Sequence, residues 1–225
     1  MRKAALHNLG CKVNSYETEA MTQLLKKAGY EIVSFQDQAD VYIINTCSVT
    51  NMADRKSRQM LHKAKKQNPN AVVVATGCYV QTATEKVVQD LSIDLVVGNN
   101  RKKDIVEILN EYYAEKEAGE QVKEEYVIDI NHTDEYEDLE ISTVTEHTRA
   151  HLKIQDGCNN FCSYCIIPYA RGRIRSRTME SIKAELERLS ASGFKEIVLT
   201  GINLSCYDDN GKKLIDVIEM ADNVN

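Results

Sequence analysis

The chain has 225 residues, 43% hydrophobic and 28% charged, with a net charge of −6, ordinary values for a globular protein of one large or two modest domains. No run approaches the roughly 18–20 apolar residues of a membrane span, and the opening MRKAALHNLG lacks the apolar core of a secretory signal. The expected home is cytoplasmic and reducing, where seven cysteines serve as metal ligands or buried thiols more readily than as disulfides.

From the N-terminus, short apolar runs at KAALHNLG, EIVSF, VYIINT, AVVVATG and DLVVG predict strands. Several are unbroken by polar positions, as in a parallel sheet covered on both faces. Helical patterns lie between them. In NSYETEAMTQLLKKAG, Asn14 and Glu17 predict a capping box, Ala20, Leu24, Leu25 and Ala28 form one face, and Gly29 ends the helix. Further helices are predicted over 51–67, 82–91 and 101–117. This alternation predicts a doubly wound parallel α/β domain over residues 1–117.

Residues 118–146 interrupt the pattern and are predicted to be an acidic linker, with an edge strand near YVIDI. Residues 117–146 carry eleven acids and one lysine, so the rest of the chain is net +4. A mildly basic remainder is compatible with a nucleic-acid partner. From His147 onward a strand (AHLKIQDGC), a helix (MESIKAELERLSASG), a second strand (EIVLTG) and the start of another helix read as the first β/α units of a TIM-type barrel. A full barrel takes about 250 residues, so the natural protein is expected to be longer than the sequence at hand, or this chain a truncated version of it.

Cys158, Cys162 and Cys165 crowd one loop, DGCNNFCSYC, directly after a predicted strand. Three thiolates on a 4Fe–4S cluster leave one iron open for a substrate or cofactor. A zinc site asks for four ligands, or three and a water with His or carboxylate nearby, and no obvious fourth ligand follows Cys165 before Cys206. A structural zinc knuckle is the competing interpretation. Cys11, Cys47 and Cys78 each follow a predicted strand, and in a parallel sheet the carboxyl ends share one edge, where ligands bind. Three such coincidences favour a second metal centre over three buried small hydrophobes. Cys206, isolated in LSCYDD, is assigned to packing.

The segment Cys158-Asn-Asn-Phe-Cys162-Ser-Tyr-Cys165 resembles the CxxxCxΦC motif of radical S-adenosylmethionine enzymes, with Tyr164 at the aromatic position. The resemblance implies that S-adenosylmethionine binds the open iron and is cleaved by an electron from the cluster to a 5′-deoxyadenosyl radical. The two cysteine sets together, through NLGCKVNSYE, INTCSVT, ATGCY, IIPYARGRIRSR and LTGINLS, resemble the methylthiotransferases over nearly the whole chain. That implies two 4Fe–4S clusters, on Cys11, Cys47 and Cys78 and on Cys158, Cys162 and Cys165. It also implies that S-adenosylmethionine lies near Tyr164, Gly201 and Asn203, and that CH₃–S replaces a C–H in the product. The branch acting on a ribosomal protein reads CPKN after its first cysteine and the isopentenyladenosine branch CQMN. Cys11-Lys12-Val13-Asn14 is similar instead to the branch modifying N6-threonylcarbamoyladenosine at position 37, beside the anticodon of tRNA. The partners implied are the tRNA anticodon loop and an electron donor such as flavodoxin or ferredoxin. A non-catalytic fragment that binds clusters or RNA stays open as the alternative.

Arg171, Arg173, Arg175 and Arg177 alternate in ARGRIRSR, and an extended segment would line all four guanidinia along one side. They are expected either to hold RNA phosphates or anions near the cofactor, or to be a solvated edge. In the predicted helix after Cys47, Arg55, Lys56 and Arg58 are the better candidates for RNA, and Lys63 to Lys66 for an exposed face. No zinc-protease, P-loop or Gly-x-Gly-x-x-Gly pattern occurs.

Overall fold

A computed structural model describes residues 1–119, 124–141 and 149–224. The first unit is built on β1 (Lys3–Asn8), β2 (Glu31–Ile32), β3 (Val41–Thr46), β4 (Val72–Gly77), β5 (Leu95–Val97) and β6 (Glu124–Tyr126). They form one parallel sheet in the order β2-β1-β3-β4-β5-β6. All of VYIINT in β3 and VVVATG in β4 is buried, so these uniformly apolar strands are central, with helices on both faces. α1 (Lys12–Lys27) and α5 (Ile105–Glu117) cover one face, packing Met21, Leu25, Ile108 and Leu109 on Val41, Ile43, Val72 and Val74. α2 (Asn51–Gln67), α3 (Cys78–Thr82) and α4 (Thr84–Val88) cover the other, packing Leu61, Ala64, Val80 and Val87 on Tyr42, Ile44, Val73 and Ala75.

The strand order reverses between β1 and β3, because the chain leaves β1 toward β2 and then crosses back to β3 on its other side. Crevices outside the carboxyl ends at such a switch point are where open α/β sheets bind ligands. Cys11 follows β1 and Cys47 follows β3, on the two sides of that point, and Cys78 follows β4.

Three local expectations are corrected. α1 begins at Lys12 with Cys11 at its N-cap and no side-chain cap. Asn14 and Glu17 therefore lie inside the helix, where both are buried and neither forms a capping box; Asn14 bonds Thr46 and Glu17 bonds Arg171, both distant in the chain. The strand in EIVSF shortens to two residues at the sheet edge. The helix predicted over 82–91 is replaced by the short α3 and α4, meeting at Ala83.

The second unit contains β7 (Ala150–Lys153), β8 (Gln155–Asp156), α6 (Ile167–Arg171), β9 (Arg175–Ser176), α7 (Met179–Ala191), β10 (Ile197–Thr200), the hairpin β11 (Asp208–Asp209) and β12 (Lys212–Lys213), and α8 (Leu214–Asp222). β7 and β10 pair in parallel with α7 between them in sequence, as in a β/α barrel, while β8 and β9 pair antiparallel. Thr178 caps α7 by accepting from the Ser181 N–H.

The two units share a core. Tyr16 and Ala20 of α1 pack with Leu152, Ile154, Ile182 and Leu186 of the second unit, and with Leu139 and Ile141 of the connector. The described part of the connector also brings its acids to basic residues on both sides. Glu135 meets Lys103 at 2.5 Å, Asp138 meets Arg177 at 2.8 Å, and Glu140 meets Arg188 at 3.3 Å. His147 and the rest of 142–148 and 120–123, where the linker and the start of the second unit were predicted, lie outside the described residues.

Gly77 ends β4 with φ +95° and ψ −164°. A Cβ there would stand 2.5 Å from the Thr46 carbonyl oxygen and 2.5 Å from Asn45 Oδ1, both on the neighbouring strand. Glycine is required both by this backbone conformation and by the close approach of β3. Gly77→Ala is expected to destabilise the apo chain by on the order of 3 kcal/mol in urea unfolding, and a midpoint equal to the parent's would show that β3 yields freely.

Candidate iron–sulfur centres

Cys11, Cys47 and Cys78 line one cleft of about 470 Å³, whose opposite wall is Ile167, Arg171 and Ile202 from the second unit. The contacts explain the convergence. Gly10 lies so close to Cys47 that a Cβ on it would stand 3.0 Å from Cys47 Cβ and 3.1 Å from its Sγ. The Cys47 N–H donates to Ser57 Oγ at 3.2 Å, and the Ser57 hydroxyl donates back to the Cys47 carbonyl at 3.0 Å, which ties this residue to α2. Asn14 bridges the strand ends: its Nδ2 donates to the carbonyls of Leu9 (2.8 Å) and Thr46 (2.9 Å), and its Oδ1 faces the Cys11 thiol at 3.8 Å. Burial pushes the Cys47 thiol above its ordinary value against a backbone hydrogen bond to Val49, and the nearby Cys78 and Cys11 sulfurs add to the rise. Three thiolates gathered in one cleft repel one another, and a bound cationic centre relieves that repulsion.

The second trio lies on the loop between β8 and α6. Gly157 opens the loop at φ +73°, where a Cβ would fall 1.8 Å from the Arg173 carbonyl oxygen. The Cys158 N–H donates to the Gly172 carbonyl (3.1 Å) and the Cys165 N–H to that of Cys162 (2.9 Å), so the loop closes in a tight turn. Cys162 is exposed, and Cys158 and Cys165 are half-buried. Asn203 reaches this trio, its Nδ2 lying 3.7 Å from Cys158 Sγ. Gly201 sits against Gln155, whose carbonyl oxygen would be 3.0 Å from an added Cβ. Tyr164 is 91% exposed. Gln155, which the sequence did not single out, joins the loops. Its Nε2 donates to the carbonyls of Asp156 and Gly157, and its Oε1 accepts from the N–H groups of Ile202 (3.0 Å) and Asn203 (2.7 Å).

The arginine row is corrected. α6 ends at Arg171, the chain turns at Gly172, and Arg171, Arg175 and Arg177 are all buried. Arg173 is half-buried, its guanidinium carbon 4.4 Å from the centre of the Phe161 ring. An alternating row on an extended strand would have left the four side by side; the turn sends them into different interior contacts. Arg171 binds Glu17 Oε1 at 2.5 Å and Asp156 at 3.2 Å, donates to Asn14 Oδ1, and places its Nε–H 3.3 Å from Cys78 Sγ. Arg177 pairs with Glu185 at 2.5 Å.

Glu17 is the centre of this interior cluster. Lys102 (3.1 Å), Lys153 (2.8 Å) and Arg171 reach its carboxylate, and Lys153 also meets Asp156 at 2.7 Å. Burial by itself would raise the Glu17 pKa, but the Arg171, Lys102 and Lys153 charges outweigh it and hold the carboxyl well below its usual range.

Among the described residues, no three His, Cys, Asp or Glu side chains converge closely enough to hold a single ion. A tetrahedral zinc draws its sulfurs to about 3.8 Å of one another. The cleft of about 470 Å³ lined by Cys11, Cys47 and Cys78 has room for a multi-iron cluster with sulfur ligands. Among the described residues no helix is long and apolar enough to cross a membrane.

Two family profiles match the chain: the uncharacterized protein family UPF0004 over residues 3–98, and the radical SAM superfamily over residues 152–224. The first match contains Cys11, Cys47 and Cys78, and the second, to the radical SAM superfamily, contains the CxxxCxxC loop. It is 46% identical over 94% of its length to the threonylcarbamoyladenosine tRNA methylthiotransferase MtaB of Bacillus subtilis, and 43% over 96% to that of Aquifex aeolicus. It is 34% identical over 92% of its length to the tRNA-2-methylthio-N(6)-dimethylallyladenosine synthase of Bacteroides fragilis. Along more than nine-tenths of its length the chain is similar to radical SAM methylthiotransferases, a family of enzymes that works with S-adenosylmethionine and two 4Fe–4S clusters. It spans 46%, 52% and 44% of these three relatives, about half their length.

Glu17→Gln removes a carboxylate that three buried cations share, and is expected to cost about 3–5 kcal/mol at neutral pH. Because the Glu17 pKa is depressed in the folded state, its stabilisation is fully present above the unfolded value of about 4.3 and is lost as pH falls through the lower, folded value. Urea unfolding between pH 7 and pH 3 should therefore show the parent losing stability below about pH 4.3, with a shallower dependence in Glu17→Gln. Parallel curves would refute the assignment.

Proposed function

We propose that this chain is part of a tRNA methylthiotransferase that places a methylthio group at C2 of N6-threonylcarbamoyladenosine at position 37. The observation that carries the reading is that Cys11, Cys47 and Cys78 meet in one cleft walled by the second unit. The Lys12-Val13-Asn14 sequence after Cys11 and the identity to MtaB-type relatives support this substrate branch. In this reading Cys11, Cys47 and Cys78 hold one 4Fe–4S cluster and Cys158, Cys162 and Cys165 the other. When bound, the second cluster supplies an open iron for S-adenosylmethionine and the electron that cleaves it.

The chain's own residues do the rest by placement. Gln155 fixes the 201–203 loop against the Cys158 loop, and Gly201 permits this close approach because a Cβ on it would meet Leu204 and Gln155; Gly201 and Asn203 would contact S-adenosylmethionine from this loop. Tyr164, exposed on the Cys158 loop, would be free to contact that cofactor. Ile167 and Ile202 give the cleft apolar walls that limit water near a reactive carbon. Arg55, Lys56 and Arg58 are exposed on α2, and Lys56 lines the cleft itself. They take phosphates of the anticodon loop, and a flavodoxin or ferredoxin in the cytoplasm supplies the electron.

Anaerobic reconstitution is expected to give about eight irons per chain, and about half that in either the Cys11/Cys47/Cys78 or the Cys158/Cys162/Cys165 triple-alanine variant. Iron content indifferent to either triple change would remove that trio from the reaction. Mass spectrometry of tRNA nucleosides from a strain lacking the gene tests the substrate. Loss of methylthio-threonylcarbamoyladenosine is expected; loss of the methylthio-isopentenyl nucleoside instead would assign the chain to the other branch.

A further inference from the structure

The cleft that gathers Cys11, Cys47 and Cys78 is not completed by the first unit. Arg171, at the end of α6 in the second unit, supplies the guanidinium that meets Cys78 Sγ at 3.3 Å. The same guanidinium donates to Asn14 Oδ1, and Asn14 in turn ties Leu9 beside Cys11 to Thr46 beside Cys47. One side chain therefore touches the framework of all three thiols. It is fully buried and cannot lose its proton.

Nearby charges do not cancel it. Lys102, Lys153, Arg171 and Arg175 are buried around Glu17, Asp156 and Glu137, four cations against three carboxyl groups. The carboxylates lie on one side of Arg171 and the Cys78 sulfur on its Nε side. The Nε–H, which no carboxylate takes, is the edge of the guanidinium that faces the cysteine cleft, where it stabilises an anionic sulfur.

We propose that Arg171 is a positioning residue for the N-terminal iron–sulfur centre: it fixes the Cys78 sulfur and holds a permanent positive charge against the cluster, so the second unit completes and tunes the centre of the first. The inference rests on the assignment of Cys11, Cys47 and Cys78 as cluster ligands. Net charge and hydrogen bonds to the sulfurs set the potential of such clusters. Reduction adds an electron, so a fixed cation beside the sulfur favours the reduced form.

The test uses the chain carrying Cys158→Ala, Cys162→Ala and Cys165→Ala, in which iron reports the N-terminal centre. Its midpoint potential is read by EPR-monitored redox titration in this parent, with Arg171→Gln, and with Arg171→Lys. Arg177→Gln is the control, because Arg177 is equally buried between the units but bonds Glu185 and Asp138 rather than a cysteine. Arg171→Gln is expected to lower the reduced-to-oxidised ratio at fixed potential about tenfold, a negative shift of about 59 mV for a one-electron couple. Arg171→Lys recovers part of the shift, and Arg177→Gln leaves the midpoint in place. Loss of iron in Arg171→Gln with retention in Arg177→Gln also supports the proposal. An unchanged midpoint in Arg171→Gln, an equal shift in Arg177→Gln, or iron loss in both overturns it. A parent that takes up no iron removes the N-terminal cluster itself, a failure recognisable before any arginine is changed.

Discussion

A carboxylate with no access to solvent holds the two halves of this chain in register. Glu17 sits in the middle of α1, and its cations come from three places: Lys102 before α5, Lys153 at the end of β7, and Arg171 at the end of α6. Removing such groups from water is costly, and their mutual attraction repays the cost only when the geometry is good and the remaining donors are satisfied. An apolar seam of similar area would be comparably stable, and part of the interface is such a seam, with Tyr16 and Ala20 among Leu152, Ile154 and Leu186. Apolar contacts alone tolerate small slides. A guanidinium that must meet Asn14, Glu17, Asp156 and Cys78 together does not, because each hydrogen bond fails within a few tenths of an ångström.

That registration matters because the cysteines come from opposite sides of it. The topology of the first unit brings Cys11 and Cys47 to the switch point, and Gly77 lets β4 end close enough against β3 for Cys78 to join them. The second unit sets its own trio on a loop whose position is fixed by Gln155 and by the turn at Gly172. The interior ion cluster lies between these two constructions. A displacement there would move Ile167 and Ile202 with respect to Cys11, Cys47 and Cys78, and would change the shape of the cleft rather than the integrity of either unit.

The periodic parts of this arrangement were legible in the sequence. VYIINT is β3 to the residue, residues 51–67 are α2 to the residue, and the strand-end placement of three cysteines follows from the α/β alternation. These signals are local: apolar runs, helical faces and the strand ends they define. Asn14 and Glu17 show where local reasoning fails. Their spacing has the form of a capping box, but Arg171, more than 150 positions later, binds both of them. ARGRIRSR likewise read as a surface row because nothing within it announces Glu17, Glu185 or Asp138 as partners. A charge is exposed or buried according to the tertiary contact it finds, and that information lies outside the window in which a charge run is recognised. Gln155 carried no signal at all, since its work is to bond backbone groups on two loops.

The correction to the arginines also changes where an RNA would be met. With Arg171, Arg175 and Arg177 committed to the interior, only Arg173 of this motif is left to lend its charge to phosphates. The acidic connector, which makes the whole chain net negative, is partly drawn onto Lys103, Arg177 and Arg188. Exposed positive charge next to the cleft then falls mainly to the first turns of α2, where Arg55, Lys56 and Arg58 have, among the described residues, no salt-bridge partner, Arg58 donating to the Tyr79 hydroxyl at 3.3 Å. Lys65, further along, is already paired with Asp94 at 2.8 Å. On the proposed function, the anticodon loop approaches over the start of α2, from the side of Cys47. The long-range attraction would come from phosphate contacts there, and the depth of the cleft, walled by the second unit, would select the base.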